Sequence, residues 1–341
     1  MQYGFSIKRK CYLLSVLLMT VWLTGCVQEE FESTPSPAGN GIRFTLTVPD
    51  VNLPSVSSRT MTGTGTAKKE DEIETVDILV FDMSKTPAVF LEWVSATGVT
   101  QDLADNSTVS FSAVLSPTTA STCIVVVANK ELDNIVSGFT KGATTKVEAM
   151  EKMLHTQTGK WLADGSTTGG YTRIPMYGEK VISKITPSMN PITEINMKRM
   201  LARIDIRNNS VTSNFMVEEV YLANYNTTGY IAPAWNTNGQ VTEPAPDTPV
   251  LPTGSGKMTE EGNAILYSVN GNTPYDGEIY TFESLAAGDA GGAGQDGEAS
   301  RKDATCLIVK GKIGTGESTF YRVDFTKTGN TGEQVEYLPL K

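Results

Sequence analysis

The chain has 341 residues, 39% of them hydrophobic, a formal charge of −10, four cysteines and a single histidine. That acidity argues against nucleic acid and against anionic lipid surfaces as partners. One histidine excludes most metal centres and most Ser/His or Cys/His catalysis, and the cysteines are too few for a disulfide scaffold.

The first residues are a targeting segment. Lys8, Arg9 and Lys10 precede an apolar run from Tyr12 to Trp22, too short for a relaxed bilayer span. Leu23-Thr24-Gly25-Cys26 closes it. A basic start, a short apolar stretch and a small-residue cut before cysteine make a bacterial lipoprotein signal. Residues 1–25 are expected to be removed and the thiol of Cys26 to carry the lipid. The chain is then exported and tethered to a membrane. Its length suggests about two domains.

Residues 27–40 are polar and read as a tether. Ile42, Phe44, Leu46 and Val48 then alternate with Arg43, Thr45 and Thr47, the period-2 pattern of a strand with one buried face. Asp50 and Pro54 end it. Residues 55–72 are rich in Ser, Thr and Gly, then charged, and read as an exposed loop. Arg59 is the one basic residue between Arg43 and Lys68, flanked by Ser57-Ser58 and Thr60-Met61. Such a loop suits a protease.

Val76 to Phe81 is apolar on both faces and reads as a central strand. Val109, Phe111 and Ala113 mark another strand, and Thr122 to Asn129 a third. Val147, Met150 and Leu154 predict a helix over about 144–156, with His155 near its C-terminus, where the helix dipole favours it. Between 192 and 207 the alternation slips by one: Ile195 and Met197 share one phase, while Met200, Ala202, Ile204 and Ile206 share the other. A bulge near Lys198–Arg199, or a strand passing between sheets, produces that slip. The domain junction is placed here.

Further strands are expected at 217–225, 264–269, 278–282, 306–313 and 320–325, with turns at 226–229 and 238–239 and a proline-rich loop over 232–262. Many short strands and almost no helix indicate β-sandwich or barrel domains. Cys123 and Cys306 sit in apolar strand-like runs and read as buried free thiols in different domains.

No catalytic constellation emerges. Gly292 to Gly297 matches GxGxxG, but no strand precedes it and no helix opens on it, so it reads as a loop. Asp289 and Asp296 lack EF-hand spacing. The acids at large read as solvated. An exported all-β chain of this kind reads as an assembly or binding protein, with no cofactor and no enzymatic role.

Several segments, taken together, resemble the FimA/Mfa-like fimbrillins, the pilin subunits of Bacteroidales fimbriae. EIETVDILVFD (72–82) is similar to that family's first core strand and IVVVAN (124–129) to another. IPMYGE (174–179) is similar to its PM-x-G turn. RMLARID (199–205) resembles the strand opening its second domain, and VYLANYNTTGYIAP (220–233) the strand and turn after it. The resemblance runs from the signal to residue 341.

It implies two tandem transthyretin-like β-sandwich domains after the lipoprotein signal: 26–59 as tether plus first strand, a propeptide; 60–192 as the N-terminal sandwich; 193–341 as the C-terminal one. It also implies a mode of assembly. An arginine-specific protease cuts the loop after the first strand, here between Arg59 and Thr60. Losing Ile42, Phe44, Leu46 and Val48 opens a groove that a strand from another subunit fills. Partners are then copies of this chain or related fimbrial subunits, the protease, and outer-membrane lipid through Cys26. Glu29 and Glu30 are similar to the acidic signal that sends such lipoproteins to the cell surface. The family's second domain usually continues past a segment like Tyr337 to Lys341 into at least one further strand; here the expectation is either a C-terminally truncated fragment or a last strand that differs. The competing readings are a fimbrial anchor or tip subunit and a surface glycan-binding lipoprotein. The glycan reading needs a row of aromatics, and Trp93, Trp161 and Trp235 are scattered.

Overall fold

The computed structural model describes residues 42–47, 70–101, 108–162, 172–187, 189–206, 208, 214–246, 248–253, 257–258, 262–271, 275–287, 303–327, 336–337 and 340. In chain order the first elements are β1 (Ile42–Thr47), β2 (Val76–Asp82), β3 (Val89–Ser95), β4 (Thr97–Gln101), β5 (Thr108–Ala113) and β6 (Thr122–Ala128). Then come α1 (Asp133–Val136), α2 (Lys146–Lys152), β7 (Leu154–Thr156), β8 (Met176–Ile182), β9 (Ile192–Asn196) and β10 (Lys198–Arg199). The rest is β11 (Leu201–Ile206), β12 (Phe215–Ala223), β13 (Tyr225–Asn226), β14 (Thr228–Tyr230), β15 (Lys257–Met258) and β16 (Ile265–Gly271). It ends with β17 (Tyr275–Phe282), β18 (Cys306–Ile313), β19 (Thr319–Asp324), β20 (Thr326–Lys327) and β21 (Glu336–Tyr337). The chain is all-β, as its alternation predicts.

Two sheets form the first sandwich. One runs β4-β5-β1-β9, the other β10-β8-β6-β2-β3. Between them Ile42, Phe44, Leu46, Val109, Phe111 and Ile195 meet Ile78, Val80, Ile124, Val126 and Met176. The opposite face of the five-stranded sheet carries Leu79, Phe81, Val125 and Val127. It is covered by α2 through Ala149 and Met150, by Trp161, and by Ile231, Tyr280 and Phe282 from the later part of the chain. That double cover explains why β2 and β6 are apolar on both faces.

The later strands build a four-stranded sheet β16-β12-β18-β19 and a pair β11-β17. Val220, Leu222, Tyr267 and Val309 pack with Ile204 and Ile279 in their core. Cys123 and Cys306 are buried free thiols. Burial pushes the Cys123 thiol up to about 12.

The phase slip at 197–200 is a change of sheet. β9 lies in one sheet of the first sandwich and β10 in the other, while β11 pairs with β17. Glu194 adopts a φ of 60° within β9, and the β1–β9 register shifts there.

Two local expectations are corrected. The helix stops at Lys152, because Met153 leaves helical geometry and residues 154–156 pair with 228–230. His155 therefore sits on a strand, two residues beyond the C-cap of α2. The 174–179 segment is the start of β8, an interior strand between β6 and β10, rather than a turn. Gly178 is needed within it. A Cβ there would stand 2.7 Å from Met197 Sδ, 2.8 Å from Ile195 Cγ2 and 3.0 Å from the Asn196 carbonyl. β9 is thus packed directly against the β8 backbone.

Candidate functional site

β1 is an interior strand. It pairs antiparallel with β5, Phe44 opposite Phe111 and Leu46 opposite Val109. On its other side it pairs parallel with β9, Phe44 opposite Ile192 and Leu46 opposite Ile195. Ile42, Phe44 and Leu46 are 4%, 1% and 0% exposed, while Arg43 and Thr45 between them are half-buried. The Phe44 and Phe111 rings stack at 5.0 Å. Removing β1 would uncover three apolar side chains' worth of core, each worth about 1.5–3 kcal/mol. It would also unpair the facing backbone edges of β5 and β9, which is the condition for strand addition. Among the described residues β9 has no other strand partner in its sheet.

The ends of the segment after β1 are anchored close together. The Met197 amide donates to the Thr47 carbonyl at 2.9 Å. Two residues on, Arg199 Nε donates to the Glu70 carbonyl at 3.2 Å. The Arg199 guanidinium also pairs with Asp71. Arg203 Nη1 lies 2.7 Å from Glu70 Oε1, and Tyr280 Oη donates to Glu70 Oε2 at 2.9 Å. Arg173 reaches Glu72 at 3.2 Å and Glu74 at 2.8 Å. Burial pushes the Tyr280 phenol well up, and the Glu70 carboxylate beside it adds to that.

Of the residues singled out from sequence, Ile42, Phe44 and Leu46 are together in this buried seam. Val48, Cys26, Arg59 and Thr60 lie outside the described residues, as do the 291–297 loop, Asp289 and Asp296. The sequence reading missed Asp77. It sits in central β2, accepts from Ser95 Oγ at 2.7 Å and the Leu132 amide at 3.2 Å, and its pKa is raised by burial, which those bonds only partly offset. An acid inside an otherwise apolar strand was its signal.

A cleft of about 260 Å³ lies between Asp82, Leu91, Glu92, Thr118, Thr122 and Lys141. Both Glu92 carboxylate oxygens already accept from Ser116, at 2.7 Å from its amide and 2.6 Å from its hydroxyl. Among the described residues no His, Cys, Asp and Glu cluster could hold a metal ion, and no helix is long and apolar enough to cross a membrane.

His155 packs beside Trp161 and Phe282, 5.1 and 6.3 Å between ring centroids. Burial, helped by nearby Lys130, pushes its imidazole down to about 4. The unfolded value is about 6.5, so the folded state disfavours the proton. This contribution to stability is complete above the unfolded pKa and is lost as pH falls from about 6.5 toward 4. His155→Phe is expected to flatten the fall in melting temperature between pH 6.5 and 5, above the carboxylate range. An unchanged slope would contradict it.

The geometry is that of an all-β chain whose first strand fills an interior slot. Residues 42–300 match the family of the major fimbrial subunit protein (FimA), and the chain belongs to that family. Its role is fimbrial, structural or adhesive, at the cell surface, with other fimbrial subunits as partners. Among solved structures, it is similar to a putative cell adhesion protein from Parabacteroides distasonis, with 16% identity and a TM-score of 0.47, covering 89% of this chain and 85% of that one. It is also similar to the tip fimbrial protein Mfa3 from Porphyromonas gingivalis, with 14% identity and a TM-score of 0.44, covering 87% and 90%. No curated protein matches the chain.

Proposed function

We propose that this chain is a polymerising structural subunit of a fimbrium. It is exported as a lipoprotein through Cys26, cut between Arg59 and Thr60 by an arginine-specific protease, and joined to its neighbours by donor-strand exchange. Residues 26–59 then form the propeptide, the chain from Thr60 through β9 and β10 the N-terminal sandwich, and the chain from β11 onward the C-terminal one. Before cutting, Cys26 holds the precursor in the outer membrane. The protein is not an enzyme and uses no cofactor.

The observation that carries this reading is the place of β1. A strand at a sheet edge could leave without consequence, but β1 is paired on both sides and supplies Phe44 and Leu46 to the core. Its departure leaves a slot of strand width with apolar walls and two open backbone edges. Only another strand satisfies all three. The chain between β1 and β2 holds Arg59, so a single cut there disconnects β1 from the body.

Arg59→Ala is expected to leave the uncut precursor on the cell and to abolish fibres, read by electron microscopy of the surface and by the size of the membrane-bound protein. Fibres in parental number from that variant would defeat the proposal.

A further inference from the structure

The slot left by β1 has walls of unequal strength. β5 is held on its far side by β4, but among the described residues β9 is held in its sheet by β1 alone. Once β1 departs, the position of β9 depends on what grips it from elsewhere. Three things do. Its backbone lies against Gly178 on β8. Its continuation, β10, pairs Lys198 with Tyr177 and Arg199 with Met176. Arg199 is also bound to the Glu70 carbonyl and to Asp71, while the next strand, β11, binds Glu70 through Arg203. Tyr280 of β17 closes on the second Glu70 oxygen. Arg203 and Glu70 are only 14% and 12% exposed at their side chains, so that pair is shielded from solvent, while Arg199 at 14% meets an Asp71 that is 35% exposed.

We propose that Glu70 and Asp71, with Arg199, Arg203 and Tyr280, form a clasp that positions the β9 wall and keeps the slot open at strand width after β1 has gone. The inference rests on the strand-exchange reading above. The clasp lies on the body side of Arg59, so cutting leaves it whole. The hold on the other end, from Thr47 to Met197, leaves with β1. One cut therefore frees the strand while its slot stays formed. Arg199 and Arg203 are positioning residues that touch no part of the incoming strand. They act by fixing the segment that continues β9 to the segment that leads into β2.

The test uses the full chain, cut in its native state by an arginine-specific protease that is then inhibited. The probe is a fluorescent synthetic peptide of residues 41–50, whose uptake is followed by anisotropy. The parent is expected to take it up. Glu70→Gln with Asp71→Asn, and separately Arg199→Gln, should reduce uptake about tenfold or more. Arg199→Lys, which keeps the charge, should retain most of it. Before cutting, the variants should lose some stability but still fold with β1 in place, because β1 then holds β9 itself and Arg203 keeps its pair with Asp205.

Parental uptake by the neutralised variants would overturn the clasp and leave strand exchange standing. Uncut variants that no longer fold would also overturn it, because the pairs would then support the whole fold and not the open slot. A cut parent that takes up no peptide would sink the strand-exchange reading, and the clasp with it.

Discussion

Phe44→Ala in the uncut chain is expected to cost about 3–5 kcal/mol, the range for truncating a buried aromatic. Phe44 is 1% exposed and stacks on Phe111, with Ile78, Val80, Ile124 and Val126 in the same core across the sandwich. Alanine leaves a cavity between two sheets, and strands paired on both sides cannot move in to fill it. Chemical denaturation of the uncut protein measures the loss as a fall in midpoint at constant slope. Arg43→Ala on the same strand is the control. Arg43 lies on the opposite face and is half-buried, so its loss should cost much less. A Phe44→Ala cost below about 1 kcal/mol would mean that β1 contributes little to the core. Its release could then create no demand for a replacement.

The second large effect belongs to a buried ion pair on the other face of the five-stranded sheet. Lys146 is 2% exposed, and its Nζ lies 2.6 Å from Glu179 Oε2. The same oxygen accepts from Tyr177 Oη at 2.5 Å. Lys146→Ala removes one partner and leaves a largely buried carboxylate uncompensated, at an expected cost of about 3–5 kcal/mol. Lys146→Met combined with Glu179→Gln removes both charges, keeps volume, and should lie closer to the parent. The comparison by denaturant midpoint separates the cost of an orphaned charge from the worth of the pair. If the single and double variants are equally unstable, packing rather than charge is what Lys146 supplies.

Where a segment buries one face or two against a single neighbour, its sequence was enough to read it. Ile42, Phe44 and Leu46 alternate because one sheet face is inside. The run 76–81 is continuous because both faces are. The slip near 198 was legible because a change of sheet forces a change of phase. The helix was read too long: Leu154 fits its spacing, but the pairing of 154–156 with 228–230 outweighs local propensity. The 174–179 segment was expected to be a turn on the family resemblance alone, and the Met-Tyr-Gly start of β8 has no alternation to mark it as a strand. All three of those residues are buried, and the glycine marks a close backbone approach.

The clasp was hidden for another reason. Glu70, Asp71 and Glu72 looked like the charged end of a solvated loop. Arg199 and Arg203 lie well over a hundred residues away, and nothing local marks a pair that distant. Asp77 shows the converse, an acid whose setting in an apolar run betrays its burial.

The most direct test is the N-terminus of the subunit in fibres sheared from cells, read by mass spectrometry. The account predicts a chain beginning at Thr60, with residues 26–59 shed. A chain beginning at lipid-modified Cys26, with β1 still attached, would contradict it.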